Sequence, residues 1–347
     1  MNKQFGAKIT KELEQRYARS ANWDGKKFVN LEETTMDVSF LTLPNILYKQ
    51  FCQREGRSPK QDLPIMPFNE AAFLAPSDKI KFIWYGHSVL LMRVNNKTLL
   101  IDPMLGSNAA PVAPFAIKRF SANTLDIIDS LPEIDLVLLT HDHYDHLDYD
   151  SIQKLIPKVK QFYVALGTAR HLIKWGVAAD SIQEFDWWDE HIFNDTQITF
   201  TPSRHFSGRG LTDRAKSLWG GWVFKTRTEN IYFSGDGGYG KHFVMVGEKL
   251  GPFDFGFMEC GQYNEYWHQI HMYPGEAVQA AIDAKVKHIM PVHWAGFALS
   301  LHPWVEPVNR FVAAAKEKQI PFKVPQLGEL FTIDPATQQK IWWQEHK

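Results

Sequence analysis

Short apolar runs separated by turn residues begin near residue 79 and continue through most of the chain. The first three runs are KIKFIWYG, VLLMRV and TLLIDP, and the pair Asn95-Asn96 between the last two is typical of a tight turn between strands. We therefore predict that this part of the chain opens with a meander of β-strands.

Later runs alternate with stretches of helical periodicity. The segment PGEAVQAAIDAKVK begins with Pro274, which suits the first turn of a helix. Its predicted face contains Val278, Ala281, Ile282 and Lys285. Further strands are predicted at Leu136–Thr140, Gln161–Ala165, Gln197–Thr201, Gly221–Thr226, Asn230–Ser234, Phe255–Glu259, His288–Val292 and Glu329–Ile333. Hairpins followed by strand–helix–strand units predict an α/β protein with mixed sheets covered by helices, which many folds share.

The residues before these runs form an N-terminal extension. The chain has no internal repeat, low-complexity tract or long linker, so we predict that residues 1–78 pack on a body formed by residues 79–347. The stretch Leu41–Arg57 of the extension mixes apolar residues with Lys49, Arg54 and Arg57. A helix packed on the body explains this pattern, and a helix lying on a membrane surface is the alternative interpretation.

Composition narrows the choice of partners and compartment. The chain has 347 residues with 38 basic and 39 acidic side chains, so its net charge of -1 does not call for a nucleic acid. Cys52 and Cys260 cannot form a disulfide framework. The N-terminus lacks the apolar core of a secretory signal, and no run approaches the roughly 18 apolar residues of a spanning helix. We expect a cytoplasmic protein, with peripheral membrane contact as an alternative.

The strongest chemical signal is THDHYDHLD, which directly follows the apolar run IDLVLL. His141 and His143 can point the same way from an extended segment, while Asp145 and His146 follow on the turn and face a neighbouring position. Three imidazoles and one carboxylate suit zinc or a similar metal, and two directions suit two ions. A solvated histidine-rich turn is the alternative.

Two metal sites need more ligands than this motif offers. His205 follows the strand QITFTPSR, Asp236 follows NIYFSG, and His293 follows KHIMPV. Each of these residues alone is more often structural than a ligand. As a series at successive strand ends, they predict the remaining metal ligands.

The order HxHxDH, then a histidine, an aspartate after Ser-Gly and a further histidine, resembles the metallo-β-lactamase superfamily over residues 80–333. The resemblance implies a four-layer αββα sandwich with the metals at the edge between the two sheets. The early aspartate of that fold corresponds to Asp102. By the same resemblance one metal is held by His141, His143 and His205, the other by Asp145, His146 and His293, and Asp236 bridges both.

Several longer segments narrow the resemblance to the branch of N-acylphosphatidylethanolamine phospholipase D and its bacterial relatives. These segments are WYGHSVLLM, IDPML, SRHFSGRG, SLWGGWVF, YFSGDGGYG, HMYPGEAV and PVHWAGFALS. In that branch a histidine just before the helix start reaches the active site, and His271 is similar to it. The alternative for His271 is a helix-capping residue.

The resemblance implies a dinuclear metal-dependent hydrolase, a phosphodiesterase of phospholipase D type that acts on N-acylphosphatidylethanolamine-like lipids. Asp145, Asp236 and His271 are the predicted catalytic residues. Zinc is the preferred metal, and manganese or iron suits the same ligands. The alternatives are a lactonase or soluble phosphodiesterase with the same metals, or a metal-binding scaffold without turnover.

The roles of other polar and aromatic residues stay open. His87 in the GHS turn orients the ligands or is a hydrogen-bonded core histidine. Three arginines near His205 recognise phosphate or belong to a solvated loop: Arg204, Arg209 and Arg214. Five tryptophans line an acyl pocket or contribute to ordinary packing: Trp219, Trp222, Trp267, Trp294 and Trp304.

Overall fold

A computed structural model describes residues 3–39, 41–110, 116–210, 212–334 and 340–346. The strands are β1 (Lys81–Trp84), β2 (Leu90–Val94), β3 (Lys97–Ile101), β4 (Ile134–Leu139), β5 (Val159–Ala165), β6 (Ile182–Phe185), β7 (Glu190–Phe193), β8 (Thr196–Thr201), β9 (Gly221–Lys225), β10 (Asn230–Phe233), β11 (Phe255–Glu259), β12 (Ile289–Val292) and β13 (Leu330–Phe331). The α-helices are α1 (Lys11–Tyr17), α2 (Leu43–Cys52), α3 (Glu70–Leu74), α4 (Ile127–Ser130), α5 (Tyr149–Leu155), α6 (Ala169–Lys174), α7 (His242–Lys249), α8 (Pro274–Asp283) and α9 (Glu306–Glu317).

The strands form two mixed sheets. One sheet has seven strands in the order β13-β1-β2-β3-β4-β5-β6, antiparallel as far as β3 and parallel from β3 to β6. The other has six strands in the order β12-β11-β10-β9-β8-β7, parallel between β12 and β10 and antiparallel beyond. This arrangement explains why hairpin patterns precede strand–helix–strand patterns in the first half of the body.

Alternation along the strands builds two apolar layers. Successive side chains of a strand point to opposite faces, so Phe82 joins the core between the sheets while Ile83 joins a second cluster with residues of α5 and α6. The rings of Phe82 and Phe257, one from each sheet, have centroids 5.2 Å apart. Helix α8 contacts β11 of the second sheet. The predicted four-layer αββα sandwich is confirmed.

The strand predictions were right except at two positions. Every predicted strand is present, but β6 and β7 were not predicted. Each of these strands lies at the edge of its sheet, and most of their side chains are exposed or half-buried. Because such strands bury little, their sequences IQEF and EHIF lack a clear apolar pattern.

The predicted helix after Pro274 begins there but is shorter than expected. Helix α8 ends at Asp283, and Lys285 has a left-handed backbone with a φ of 59°. Its buried face contains Ala277, Val278, Ala280 and Ala281. Ile282 and Lys285 are exposed, so their predicted place on that face was wrong.

The N-terminal residues contact the body at several points. Phe28 donates its backbone N–H to Ala215 O at 2.9 Å, and Leu63 donates to Phe120 O at 2.7 Å. The division of the chain at residue 78 stays a prediction. None of the helices in the described parts of the chain has the length and apolarity that a membrane span requires.

Helix α2 occupies the stretch that has two interpretations. Its side chains Leu43, Leu47 and Tyr48 are exposed, the last two by 43% and 58%. The helix is tied to the body by polar contacts such as Asn45 Nδ2 to Tyr266 Oη at 3.2 Å. Packing on the body therefore does not account for these apolar residues.

Candidate metal centre

The predicted ligands meet at one edge of the sandwich. The loop 140–148 follows β4, and the other three ligands follow β8, β10 and β12. His141, His146, His205, Asp236 and His293 are buried, while His143 and Asp145 are partly exposed. The structure therefore brings all seven residues together, in two groups.

The first group consists of His141, His143 and His205. Nδ1 of His143 lies 2.9 Å from Nε2 of His141 and 3.1 Å from Nε2 of His205. Burial lowers the pKa of His143 to about 4, and burial with neighbouring imidazoles holds the pKa of the other two well below the usual value. Three neutral imidazole nitrogens that face one another match the lone-pair arrangement around a cation.

The second group consists of Asp145, His146 and His293, with Asp236 between the groups. Oδ2 of Asp236 lies 2.9 Å from Nε2 of both His146 and His293. A carboxylate oxygen of Asp236 also lies within 4.8 Å of a ring nitrogen of His141. Burial favours the neutral carboxyl, but the adjacent imidazoles outweigh it and hold the pKa of Asp236 and Asp145 well below the usual value. Buried carboxylates require positive charge nearby, so this donor set fits two divalent ions.

Surrounding hydrogen bonds fix which ring nitrogen faces the centre in two of the histidines. His146 Nδ1 donates to Asp102 Oδ2 at 2.8 Å, and the same carboxylate accepts the backbone N–H and hydroxyl of Thr140. His205 Nδ1 donates to Ile270 O at 2.9 Å. These partners turn Nε2 of His146 and His205 toward the centre, where each nitrogen could bind a cation once it carries no proton. Asp102, implied by the fold resemblance, thus contacts a candidate ligand.

Comparison with known proteins agrees with this geometry. A family model described as a beta-lactamase superfamily domain matches residues 97–294. The N-acyl-phosphatidylethanolamine-hydrolyzing phospholipase D 1 of Caenorhabditis elegans is 30% identical to this chain over 72% of the chain and 74% of that protein. The chain belongs to the metallo-β-lactamase superfamily.

Two further comparisons concern the whole length of the chain and its fold. An uncharacterized protein of Mycobacterium tuberculosis is 34% identical over 94% of this chain and 88% of its own length. The solved structure of an isothiocyanate hydrolase from Delia radicum gut bacteria shares the fold, with a TM-score of 0.58 and 20% identity over 74% of this chain and all of that chain. Members of the superfamily are metal-dependent hydrolases, and the resemblance predicted from the motifs is confirmed.

His271 lies beside the centre of this metallo-β-lactamase superfamily protein. Its ring is 5.0 Å from that of His205 and 5.1 Å from that of His293, measured between centroids. Its Nδ1 lies 2.9 Å from Oε1 of the buried Glu259. Tyr273 with Glu276 caps α8, so the capping explanation for His271 was wrong.

Glu259 is a residue that the sequence analysis missed. Its Oε1 contacts His271 Nδ1 and lies 3.4 Å from His293 Nδ1, while Oε2 accepts the backbone N–H of Met272 at 3.2 Å. A signal was present, because Glu259 ends the apolar strand FGFME, where a fully buried acid is unusual.

His87 contacts the second group directly. Its Nε2 donates to Asp145 Oδ2 at 2.8 Å, and burial lowers its pKa to about 3, so the ring is neutral. The backbone of His87 accepts the N–H of His293 at 2.9 Å. These contacts favour the orienting role of His87 over that of an isolated core histidine.

The three arginines near His205 have different surroundings. Arg204 donates to Tyr239 O and Glu33 O at 2.9 and 2.7 Å, and the buried Arg209 donates to Asp142 O and Leu147 O. These two arginines hold backbone carbonyls, so a solvated loop was the wrong description of Arg209. Arg214 is exposed, and its guanidinium lies 3.8 Å from the centroid of the Phe206 ring.

A cavity of about 530 Å³ adjoins the first ligand group. Residues 27–34 and Met36 line one side, and His205, Phe206 and Arg214 line the other. Trp219 also borders it, whereas Trp222, Trp294 and Trp304 are buried in the core cluster. A pocket walled by all five tryptophans is therefore not what the structure has.

Proposed function

We propose that this protein is a dinuclear metal-dependent phosphodiesterase that cleaves N-acylphosphatidylethanolamine-like lipids in the manner of a phospholipase D. The observation that carries the proposal is the pair of ligand groups joined by Asp236, with His271 beside both groups. Similarity to the phospholipase D of Caenorhabditis elegans supports the choice of substrate.

The chain would hold its two ions through the two groups described above, with Asp236 shared. Zinc is the preferred metal, because imidazole and carboxylate ligands suit it, and manganese or iron fits the same atoms. Two such ions, when bound, supply an activated water and stabilise charge on the attacked phosphate. Asp145 and Asp236 contribute to catalysis through the positions in which they hold these ions.

His271 is the proposed proton donor. Glu259 accepts the proton of Nδ1, so Nε2 is the nitrogen available on the side of the metal ligands. When the ring carries both protons, Nε2 gives one to the oxygen of the leaving N-acylethanolamine as its bond to phosphorus breaks. Water supplies the oxygen that replaces it, and phosphatidic acid is the second product.

The cavity and Arg214 are the proposed recognition site for the phosphodiester. Arg214 is exposed and donates to the uncharged Sδ of Met36 at 3.2 Å, so its charge is available to an anion. The wall formed by Val29, Leu31 and Met36 offers apolar surface beside it. A cavity of this volume lies in the usual range for small-molecule sites.

Helix α2 is the proposed contact with the membrane, where a cytoplasmic enzyme would meet its lipid. Leu43, Leu47 and Tyr48 supply an exposed apolar face, and the exposed Arg54 lies just beyond the helix. Apolar side chains beside basic ones bind the surface of anionic bilayers. Nucleic acid is not a proposed partner.

The test of the substrate is kcat/KM across phosphodiesters of increasing acyl length, held below their micellar concentrations. A lipid enzyme gains about 0.8 kcal/mol for each methylene that it buries, so the values should rise with chain length. A flat series, or preference for a lactone, would remove the lipid substrate. A protein that binds metal but turns over none of these compounds would be a scaffold.

The membrane contact is tested separately with Leu47→Glu and the matched variant Ile192→Glu. Ile192 is an equally apolar side chain, 71% exposed, on the edge strand β7. Only Leu47→Glu should lose binding to anionic vesicles, and both variants should keep their rates on a soluble phosphodiester. Equal vesicle binding by the two variants would discard the contact.

A further inference from the structure

The side chain of Asn30, in the N-terminal extension, contacts a candidate metal ligand. Asn30 Nδ2 donates to the backbone oxygen of His205 at 2.8 Å, and Asn30 Oδ1 accepts the backbone N–H of His205 at 3.1 Å. The side-chain amide therefore pairs with both polar groups of this residue's backbone. Trp219 adds a third contact, because its indole N–H donates to Asn30 Oδ1 at 3.0 Å.

His205 needs such a partner because no regular secondary structure holds it. Strand β8 ends at Thr201, four positions earlier, and β9 begins only at Gly221. His205 is 1% exposed, so its peptide groups have no access to bulk water. A buried N–H or C=O without a partner destabilises the folded chain, which makes the two contacts from Asn30 important for this conformation.

Neighbouring contacts keep Asn30 in place. Arg204, the residue before His205, donates to Glu33 O at 2.7 Å and to Thr34 Oγ1 at 3.1 Å. On the other side, Phe28 donates its N–H to Ala215 O. Residues 28–34 are thus bound at both ends to the region that contains His205, with Asn30 between the two attachments.

We propose that Asn30 is a positioning residue for the metal ligand His205, and that the N-terminal extension is consequently part of the metal centre. This inference rests on the proposed role of His205 in the function given above. The His205 ring is oriented by Ile270 O, and its peptide is held by Asn30. Contacts behind a ligand of this kind typically change metal affinity by roughly 10–100-fold.

The experiment compares Asn30→Ala, Asn30→Asp and Asn22→Ala with the full-length wild-type protein. Asn22 is the matched control, because it belongs to the same extension but donates to Asp186 Oδ1, at 2.7 Å, instead of to a ligand. Asn30→Asp keeps the acceptor for the N–H groups of His205 and Trp219 and turns a carboxylate oxygen toward His205 O. Zinc affinity is measured by competition with a chelator, and cobalt spectra report the ligand geometry.

We expect both Asn30 variants to lower the affinity for one of the two zinc ions by roughly 10–100-fold and to shift the cobalt spectrum. His205→Ala should produce the same changes more strongly. Asn22→Ala should match the wild type. Wild-type affinity and spectrum in Asn30→Ala, or equal losses in Asn30→Ala and Asn22→Ala, would overturn the inference. If Asn30→Ala does not fold, Asn30→Asp decides by the same criteria.

Failure of the proposed function gives a different result. A wild-type protein that takes up no second ion would contradict the dinuclear enzyme, whatever the variants do. A wild-type protein with two ions and an unchanged Asn30→Ala would leave the enzyme intact and remove only the role of Asn30.

Discussion

The two ligand groups of the centre are built from different chemistry. The group of His141, His143 and His205 contains only imidazoles, whose pKa values lie below the usual one because they are buried. In the other group burial also disfavours the charged form, but Asp236 and other carboxylates outweigh it and hold the pKa of His146 and His293 well above the usual value. One group is ready for a cation, whereas the other must first release protons.

The contacts behind the two groups differ in the same way. His205 is held by a backbone carbonyl and by the neutral amide of Asn30. Behind the second group lie the carboxylates of Asp102 and Glu259. Substitutions that move the backbone should therefore change metal binding by the first group. Changes of pH or of charge should change metal binding by the second group.

The largest expected effect is that of Asp236→Ala, which removes the proposed ligand that lies between both groups. We expect both ions to be lost and turnover to fall to background, a larger effect than the roughly 10–100-fold loss for a supporting contact. Metal content and turnover are measured for Asp236→Ala, His141→Ala and His293→Ala. Each histidine variant should lower the affinity for mainly one ion. A loss in Asp236→Ala equal to or milder than theirs would contradict the shared role.

A smaller effect is expected from His271→Ala, because His271 is close to both groups and belongs to neither. Turnover should fall by roughly 10²–10⁴-fold while both ions stay bound. His268→Ala is the control, since His268 is a half-buried histidine of the same loop whose Nδ1 contacts Glu265 O instead of the centre. Loss of an ion in His271→Ala would make it a ligand, and an unchanged rate would make it structural.

The smallest effect is expected from a change of one pH unit. The raised pKa of His146 and His293 keeps them protonated as pH rises past 6.5, so an ion that binds the second group must expel protons. Its affinity should therefore rise about tenfold per pH unit for each proton released, as pH rises above 6.5. The first group, with the pKa of His143 at about 4, is already neutral there and should release none.

Calorimetry in buffers of different ionisation enthalpy counts the protons released by each ion. If binding of each ion released the same number of protons, the two groups would not differ in protonation. If protons were released only when the ion whose affinity Asn30→Ala lowers is bound, the assignment of protonation to the two groups would be reversed.

The sequence alone was sufficient for the ligand candidates and for most of the sandwich. His141, His143, Asp145 and His146 lie within six positions after an apolar strand, so the local backbone brings them together whatever else packs around them. The other three candidates follow strands that are buried throughout or nearly so, and such burial leaves a short, largely apolar run in the sequence.

The tertiary structure alone decided the contacts behind the ligands. Asn30 is separated from His205 by 175 positions, and no residue pattern marks a hydrogen bond over such a distance. Arg209 and Arg214 stand five positions apart in one loop, yet one is buried on backbone carbonyls and the other faces the cavity. Apolar periodicity reports which residues are removed from water, whereas the partner of a buried polar group depends on which distant segment packs against it.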